Sequence, residues 1–190
     1  MESFSDFENI IKGSDFEGEI LHMYQDSKGY VTVGVGNLLS SKEDAQNLPF
    51  VNRSTKKPAS KDEIKNDYDK VKIAPKGFRA EHYKKYTQLE LQSPDSSNLL
   101  KKRIVVFVRE LRYNFSEFDD YPRSVQLGLL DLAFNCGTNK LVTKFPNFKK
   151  AVQNKDWIKA AKESHRTGIK HSRNSTVSNW FLEAQKEEKK

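Results

Sequence analysis

The sequence predicts an α+β protein, with a short antiparallel hairpin near the N-terminus and helices over most of the remainder. Three observations carry this. From Tyr30 to Val35 the residues alternate, with Val31, Val33 and Val35 on one face and Tyr30 and Thr32 on the other, after a turn punctuated by Gly29. Helix-start signatures recur along the chain, a hydroxyl or carboxylate cap followed by acidic or apolar-periodic residues. Between Val125 and Phe134 the chain is apolar nearly all round, the pattern of a buried central helix.

The elements follow in order. Ser5 with Glu8 suggests a capping box for a first helix bearing Phe7, Ile10 and Ile11, stopped by Gly13. After the hairpin, Ser40 with Glu43 marks a short helical turn ending before Pro49. Phe50 to Ala59 reads as a polar loop. Ser60-Lys61-Asp62-Glu63 is a strong helix start, with Ile64, Tyr68 and Val71 at helical spacing, and Pro75 and Gly77 end that helix. Tyr83, Tyr86 and Leu89 offer an added packing face, and Ser93 to Ser97 reads as a turn. Leu99 to Leu111 is apolar on most sides, and its β-branched residues alone suggest a buried strand. Tyr121 to Ser124 opens the apolar helix, and Gly137 supplies its end. Phe145-Pro146 starts another helix, and Asp156 caps the next, with Trp157 structural. Beyond Gly168 comes an amphipathic helix carrying Val177, Trp180 and Phe181, then a frayed lysine-rich tail from Lys186 to Lys190.

Composition narrows the classes. With 190 residues, 36% of them hydrophobic and 31% charged, the chain suits one soluble domain with a substantial core. No apolar run reaches the ~18 residues a membrane span needs. The opening MESFSDFENIIKGSDF lacks the basic-then-apolar order of a secretory leader, so work outside the cytoplasm would need another machine. Cys136 is the single cysteine, which excludes an internal disulfide and suggests a buried, inert thiol. The four histidines lack metal-ligand spacing, so neither a metal nor a cofactor is expected. The net charge of +7 implies affinity for polyanions, yet no nucleotide-binding motif or basic aromatic helix appears. The cations read as dispersed apart from the tail and Lys101-Lys102-Arg103.

The stretch from Glu17 to Leu39, EGEILHMYQDSKGYVTVGVGNLL, holds the candidate chemistry. A hairpin here can bring Asp26 and Thr32 to one rim while Glu17 approaches from the preceding element. Two carboxylates and a hydroxyl around a gap suit glycosidic hydrolysis. One acid protonates the leaving oxygen, and the other, ionised, orients a water. The residues alone leave a structural alternative open: Asp26-Ser27-Lys28-Gly29 is a good turn, Glu17 suits a helix end, and Thr32 is a strand former.

The order Glu-Gly, Tyr-x-Asp, Gly-Tyr and Thr-x-Gly-x-Gly resembles the catalytic segment of the T-even phage lysozyme family. Asn37 stands where the phage enzyme has His. Phe78 to Tyr86 is similar to the longer bacterial, pesticin-like members. The resemblance implies a two-lobed lysozyme-like fold. Residues 13–60 would form a small lobe with a short antiparallel sheet. Residues 61–190 would supply a connecting helix and a larger helical lobe, with residues 1–12 packed on it. Leu99 to Leu111 becomes a helix on this ground.

By the same resemblance Glu17 is the general acid, Asp26 positions the water and Thr32 lies beside it. Leu38, Phe134 and Asn135 contact saccharide, the latter two through the likeness of Leu-Ala-Phe-Asn-Cys-Gly to the family's Met-Val-Phe-Gln-Met-Gly. Arg173 matches an Arg that pairs with the catalytic Glu. The implied activity is inverting cleavage of peptidoglycan between N-acetylmuramic acid and N-acetylglucosamine, with a carboxylate separation of roughly 6.5–9.5 Å. The expected partner is the glycan strand, acted on by a monomer without nucleic acid or membrane. Delivery to the wall, in the periplasm of a target or host bacterium, would be by a secretion-system carrier or by holin release. An immunity protein is the natural partner of a toxin. Two other classes remain in view, a non-catalytic wall-binding module and a basic polyanion-binding protein.

Overall fold

The computed structural model describes residues 4–187, and the first three and last three residues, with most of the lysine-rich tail, lie outside that range. The chain forms two compact units that divide at Lys102/Arg103, inside one long helix.

In the first unit, α1 (Ser5–Ile11) buries Phe7 and Ile11 completely. The capping box expected at Ser5 does not form. Phe4 occupies the N-cap and Ser5 is already helical, so its hydroxyl caps nothing there. A sheet follows, of β1 (Ile20–Gln25), β2 (Val31–Gly34) and β3 (Asn37–Leu38), antiparallel and in that order. β1 pairs Tyr24 with Thr32 and Gln25 with Val31, and a bulge separates these pairs from Ile20–Gly34. All four β2 residues are buried, so the strand does not have the one polar face that its alternation predicts.

The next helix, α2 (Lys42–Gln46), is capped one residue later than expected, by Ser41 accepting from the Asp44 N–H at 3.1 Å. The stretch read as a polar loop contains β4 (Val51–Asn52), which pairs with β5 (Leu89–Glu90). Such pairing joins segments far apart in sequence and leaves no local period. Helix α3 (Lys61–Ile73) has the full capping box, with the Ser60 N–H donating to Glu63 Oε2 at 2.7 Å. It stops at Ala74, before Pro75.

From α3, buried Asp67 ties down the chain ahead of β5. Its Oδ2 accepts from the Thr87 hydroxyl at 2.6 Å and from the Gln88 and Leu89 N–H groups at 2.7 and 3.1 Å. A 3₁₀ segment, Ala80–Tyr86, buries Tyr83, whose hydroxyl donates to the Pro75 carbonyl at 3.0 Å. Met23, Val31, Val33, Phe50, Ile64, Tyr68, Tyr83 and Leu89 share one core. Each such side chain contributes about 1.5–3 kcal/mol by leaving water.

Helix α4 (Ser93–Asn114) begins where a turn was expected. Pro94 is compatible with a first helical turn, because its missing N–H would find no partner there anyway. The β-branched run lies inside α4, where Ile104 and Val108 are buried but Val105 and Val106 are 52% and 41% exposed, so it is less buried than expected. In the second unit α5 (Arg123–Cys136) buries every residue from Val125 to Phe134. Gly137, at φ +81°, ends it and leads into α6 (Thr138–Lys144). Helices α7 (Pro146–Gln153), α8 (Trp157–Glu163) and α9 (His171–Glu187) complete the unit. Asp156 caps α8 by accepting from the Lys159 N–H at 3.0 Å, and Trp157 is fully buried. Among the described residues no helix is long and apolar enough to cross a membrane.

Candidate active site

Glu17 lies on the turn between α1 and β1. Its N–H donates to the Ile11 carbonyl at 3.1 Å, and the next N–H, of Gly18, reaches Gly13 at 3.2 Å. Gly18 has φ +72°, a conformation any other residue would resist. The backbone on both sides of Glu17 is thereby fixed, and its side chain is half-buried.

The β1–β2 turn fixes Asp26. Its N–H donates to the Tyr30 carbonyl at 2.9 Å. Its Oδ1 accepts from the N–H groups of Lys28 and Tyr30, each at 2.9 Å. Gly29 closes the turn with φ +82°, which is why a glycine stands there. Both Oδ1 bonds are to backbone, so the carboxylate is held rigidly by one oxygen. The other oxygen takes no hydrogen bond among the described residues and is open to a water.

Thr32 is the second residue of β2, just past the turn, and is 3% exposed. Its hydroxyl donates to the Tyr30 carbonyl at 3.1 Å, the same oxygen that accepts from the Asp26 N–H. Leu38, 49% exposed, pairs with Thr32 across β2 and β3. The hairpin thus brings Asp26, Thr32 and Leu38 together, and the turn part of the structural alternative is realised in the same side chain that carries the candidate chemistry.

Gln25, adjacent to Asp26, was not singled out from sequence. It is 2% exposed. Its side-chain amide donates to the carbonyls of Val71 at 2.6 Å and Ala74 at 2.8 Å. These carbonyls lie at the end of α3, where Pro75 stops the helix, and that of Val71 also accepts from the Ala74 N–H at 3.2 Å. The hairpin is therefore tied to α3 at the residue before Asp26. A polar residue in a strand whose neighbour ought to face water was the only available signal.

The remaining candidates lie in the second unit. Phe134 is buried, with the Arg103 guanidinium 4.3 Å above its ring centroid and the Phe107 ring at 5.2 Å. Asn135 is half-buried at the end of α5. Arg173, on α9, places Nε 2.9 Å and Nη2 2.7 Å from Asp131 Oδ1, and Arg166 Nη2 lies 2.8 Å from Oδ2. Asp131 is fully buried and both arginines nearly so. Only the Arg173 Nε contact has hydrogen-bond alignment, and the two Nη2 contacts are ion-pair approaches. Sequence periodicity cannot show that Asp131, on a mostly apolar stretch, meets two arginines more than thirty residues away.

Cys136 is half-buried, and its thiol donates to the Leu132 carbonyl at 2.9 Å. Burial pushes its pKa up, against the opposing field of Arg166, so the thiol stays protonated and unreactive. Among the described residues no three His, Cys, Asp or Glu side chains gather to hold a metal ion.

The architecture is an α+β, lysozyme-like fold. A crystal structure of a P22 lysozyme mutant matches it with a TM-score of 0.58 at 17% identity, covering 96% of this chain and 99% of that one. In sequence the chain is similar to T4-type lysozymes. Two Dictyostelium discoideum proteins named "Probable T4-type lysozyme 1" and "Probable T4-type lysozyme 2" are each 24% identical to it. The first is aligned over 82% of this chain and 80% of its own length, and the second over 77% and 75%. No protein-family model matches the chain.

Proposed function

We propose that the chain is a peptidoglycan hydrolase of the lysozyme type, cutting the bond between N-acetylmuramic acid and N-acetylglucosamine. Similarity to proteins named lysozyme and the lysozyme-like fold support the class. The observation that carries the mechanism is the single carbonyl of Tyr30, which accepts from both the Asp26 N–H and the Thr32 hydroxyl. It ties the Asp26 backbone and the Thr32 hydroxyl to one oxygen, which supports reading the Asp26 carboxylate and that hydroxyl as a water-orienting pair.

In this mechanism Glu17 is the general acid that protonates the departing glycosidic oxygen. Asp26, ionised, orients and deprotonates a water through its open oxygen. Thr32 stands beside that water and keeps it in line with the anomeric carbon. Attack from the face opposite the leaving group inverts the configuration. Leu38, Phe134 and Asn135 take the saccharide-contacting roles, and Arg173 the orienting role, that the family resemblance gives them.

The test is digestion of purified sacculi followed by mass spectrometry. Products ending in reducing muramic acid support the proposal. A wall-binding module without activity would pellet with sacculi and release nothing. A nucleic-acid-binding protein would ignore sacculi and bind DNA with steep salt dependence.

A further inference from the structure

Whole-chain counting hides where the positive charge sits. Residues 70–86 contain six cations, Lys70, Lys72, Lys76, Arg79, Lys84 and Lys85, against one carboxylate, Glu81. This short segment therefore carries +5 of the chain's net +7. All six cations are exposed. Lys70 approaches Asp67 at 3.7 Å and Lys84 approaches Glu81 at 4.0 Å. Lys72, Lys76, Arg79 and Lys85 have no carboxylate at ion-pair distance among the described residues.

Exposed apolar and aromatic groups are interleaved with these charges. Phe78 is 51% exposed and stacks on His82 with ring centroids 3.9 Å apart, and Ile73 is 84% exposed. The segment also adjoins the candidate site. The Lys76 side chain runs so close over Gly29 that a methyl group there would lie 2.8 Å from its Cδ. Gly29 belongs to the turn whose N–H groups hold Asp26. Lys28, on the same turn, adds another exposed cation.

We propose that the exposed basic surface of residues 70–86 is a substrate-specificity surface that holds the carboxylates of peptide stems on the glycan strand. This rests on the hydrolase reading above. A strand reaching Asp26 passes the turn that Lys76 covers, so its next stems meet Lys76, Arg79 and Lys72. Peptide stems carry free carboxylates at intervals along the glycan, which matches separated cations better than one enclosed anion pocket. Phe78 would supply apolar contact to stem or sugar. The cations keep their side chains in water, so each contributes modestly and in a salt-dependent way.

The experiment measures pelleting of the full chain with sacculi at low salt in the cold, so that binding is read without turnover. One sample keeps its peptide stems, and the other is stripped of them by an amidase. The wild type should bind stem-bearing sacculi about tenfold more tightly than stripped glycan. The double variant Lys76→Glu/Arg79→Glu should lose that preference. Lys144→Glu/Lys159→Glu, an equal charge change elsewhere, should keep it, and thermal melts should show both variants folded. Equal wild-type binding to both sacculi overturns the proposal, as does a preference unchanged in the first variant. Tighter retention by duplex DNA than by stem-bearing sacculi, at the same salt, also overturns it. Stem-dependent pelleting in the cold, with no release of reducing ends when the same samples are warmed, would support the surface while defeating the hydrolase reading.

Discussion

Asp26 and Tyr30 are joined in both directions. The Asp26 N–H donates to the Tyr30 carbonyl and the Tyr30 N–H returns to Asp26 Oδ1, each at 2.9 Å. The turn therefore fixes the carboxylate through its backbone and its side chain together. Asp26→Asn tests what this arrangement does. An amide oxygen can still accept both N–H groups, so the hairpin should form and stability should change by less than about 1 kcal/mol. In the proposed mechanism the negative charge that orients water is gone, and turnover on sacculi should fall at least about a hundredfold. Chemical denaturation beside a turnover assay separates the two effects.

Thr32→Val removes the hydroxyl that shares the Tyr30 carbonyl with Asp26 and keeps the β-branched shape of a buried strand residue. We expect a stability loss of about 1 kcal/mol, because the carbonyl retains its bond from the Asp26 N–H. Turnover should drop at least about tenfold with little change in KM, since in the proposed mechanism the hydroxyl acts on the water rather than on the sugar. Unchanged kcat would remove Thr32 from the mechanism.

Gln25→Leu cuts the tie between the hairpin and the end of α3. The Ala74 carbonyl would lose its Gln25 donor and the Val71 carbonyl would keep only the Ala74 N–H, at a cost of about 1–3 kcal/mol. Because Gln25 directly precedes Asp26, kcat should also fall. Hydrogen exchange of the Tyr30 amide should speed up in this variant, which a loss confined to α3 would not produce.

Burial lowers the His22 pKa below its ordinary 6.5, partly opposed by the bond between Nε2 and the Ala80 carbonyl at 2.9 Å. The folded state thus prefers the neutral ring. As pH falls below 6.5 the unfolded chain takes up that proton first, so stability declines from there until the folded pKa is passed. In His22→Gln the part of the pH slope that His22 causes should vanish, read as unfolding free energy against pH from 8 to 5. An identical slope in wild type and variant would assign the proton uptake elsewhere.

Asp131→Asn should cost about 3–5 kcal/mol, because it removes the buried charge that Arg166 and Arg173 both approach. Replacing one arginine as well, as in Asp131→Asn/Arg166→Met, should recover part of that loss. Equilibrium unfolding of the three proteins measures it.

What the sequence makes legible is local or periodic. The capping box of α3, the Gly29 turn, the Asp156 cap and the continuous burial of α5 all follow from residues within a few positions of each other. Ser5 shows the limit even here. Its spacing to Glu8 is right, but the helix begins one residue earlier and takes Phe4 as its cap. Pairings across long separations leave no periodic trace, as with β4 and β5, Gln25 with α3, and Asp131 with its arginines. The charge of residues 70–86 was legible but diluted by counting over the whole chain. At the candidate site, Asp26 and Thr32 could be named from the motif. The carbonyl they share emerges only once the turn is built.

The most direct measurement is mass spectrometry of sacculus digests made with wild type and with Glu17→Gln. The variant keeps the side chain's shape and lacks the proton to donate. Wild type should release fragments ending in reducing muramic acid, and Glu17→Gln should release them about a hundredfold to ten-thousandfold more slowly with its melting unchanged. Anhydro ends, cut peptide stems, or equal release by the two proteins would contradict the assignment of Glu17 as the acid of an inverting muramidase.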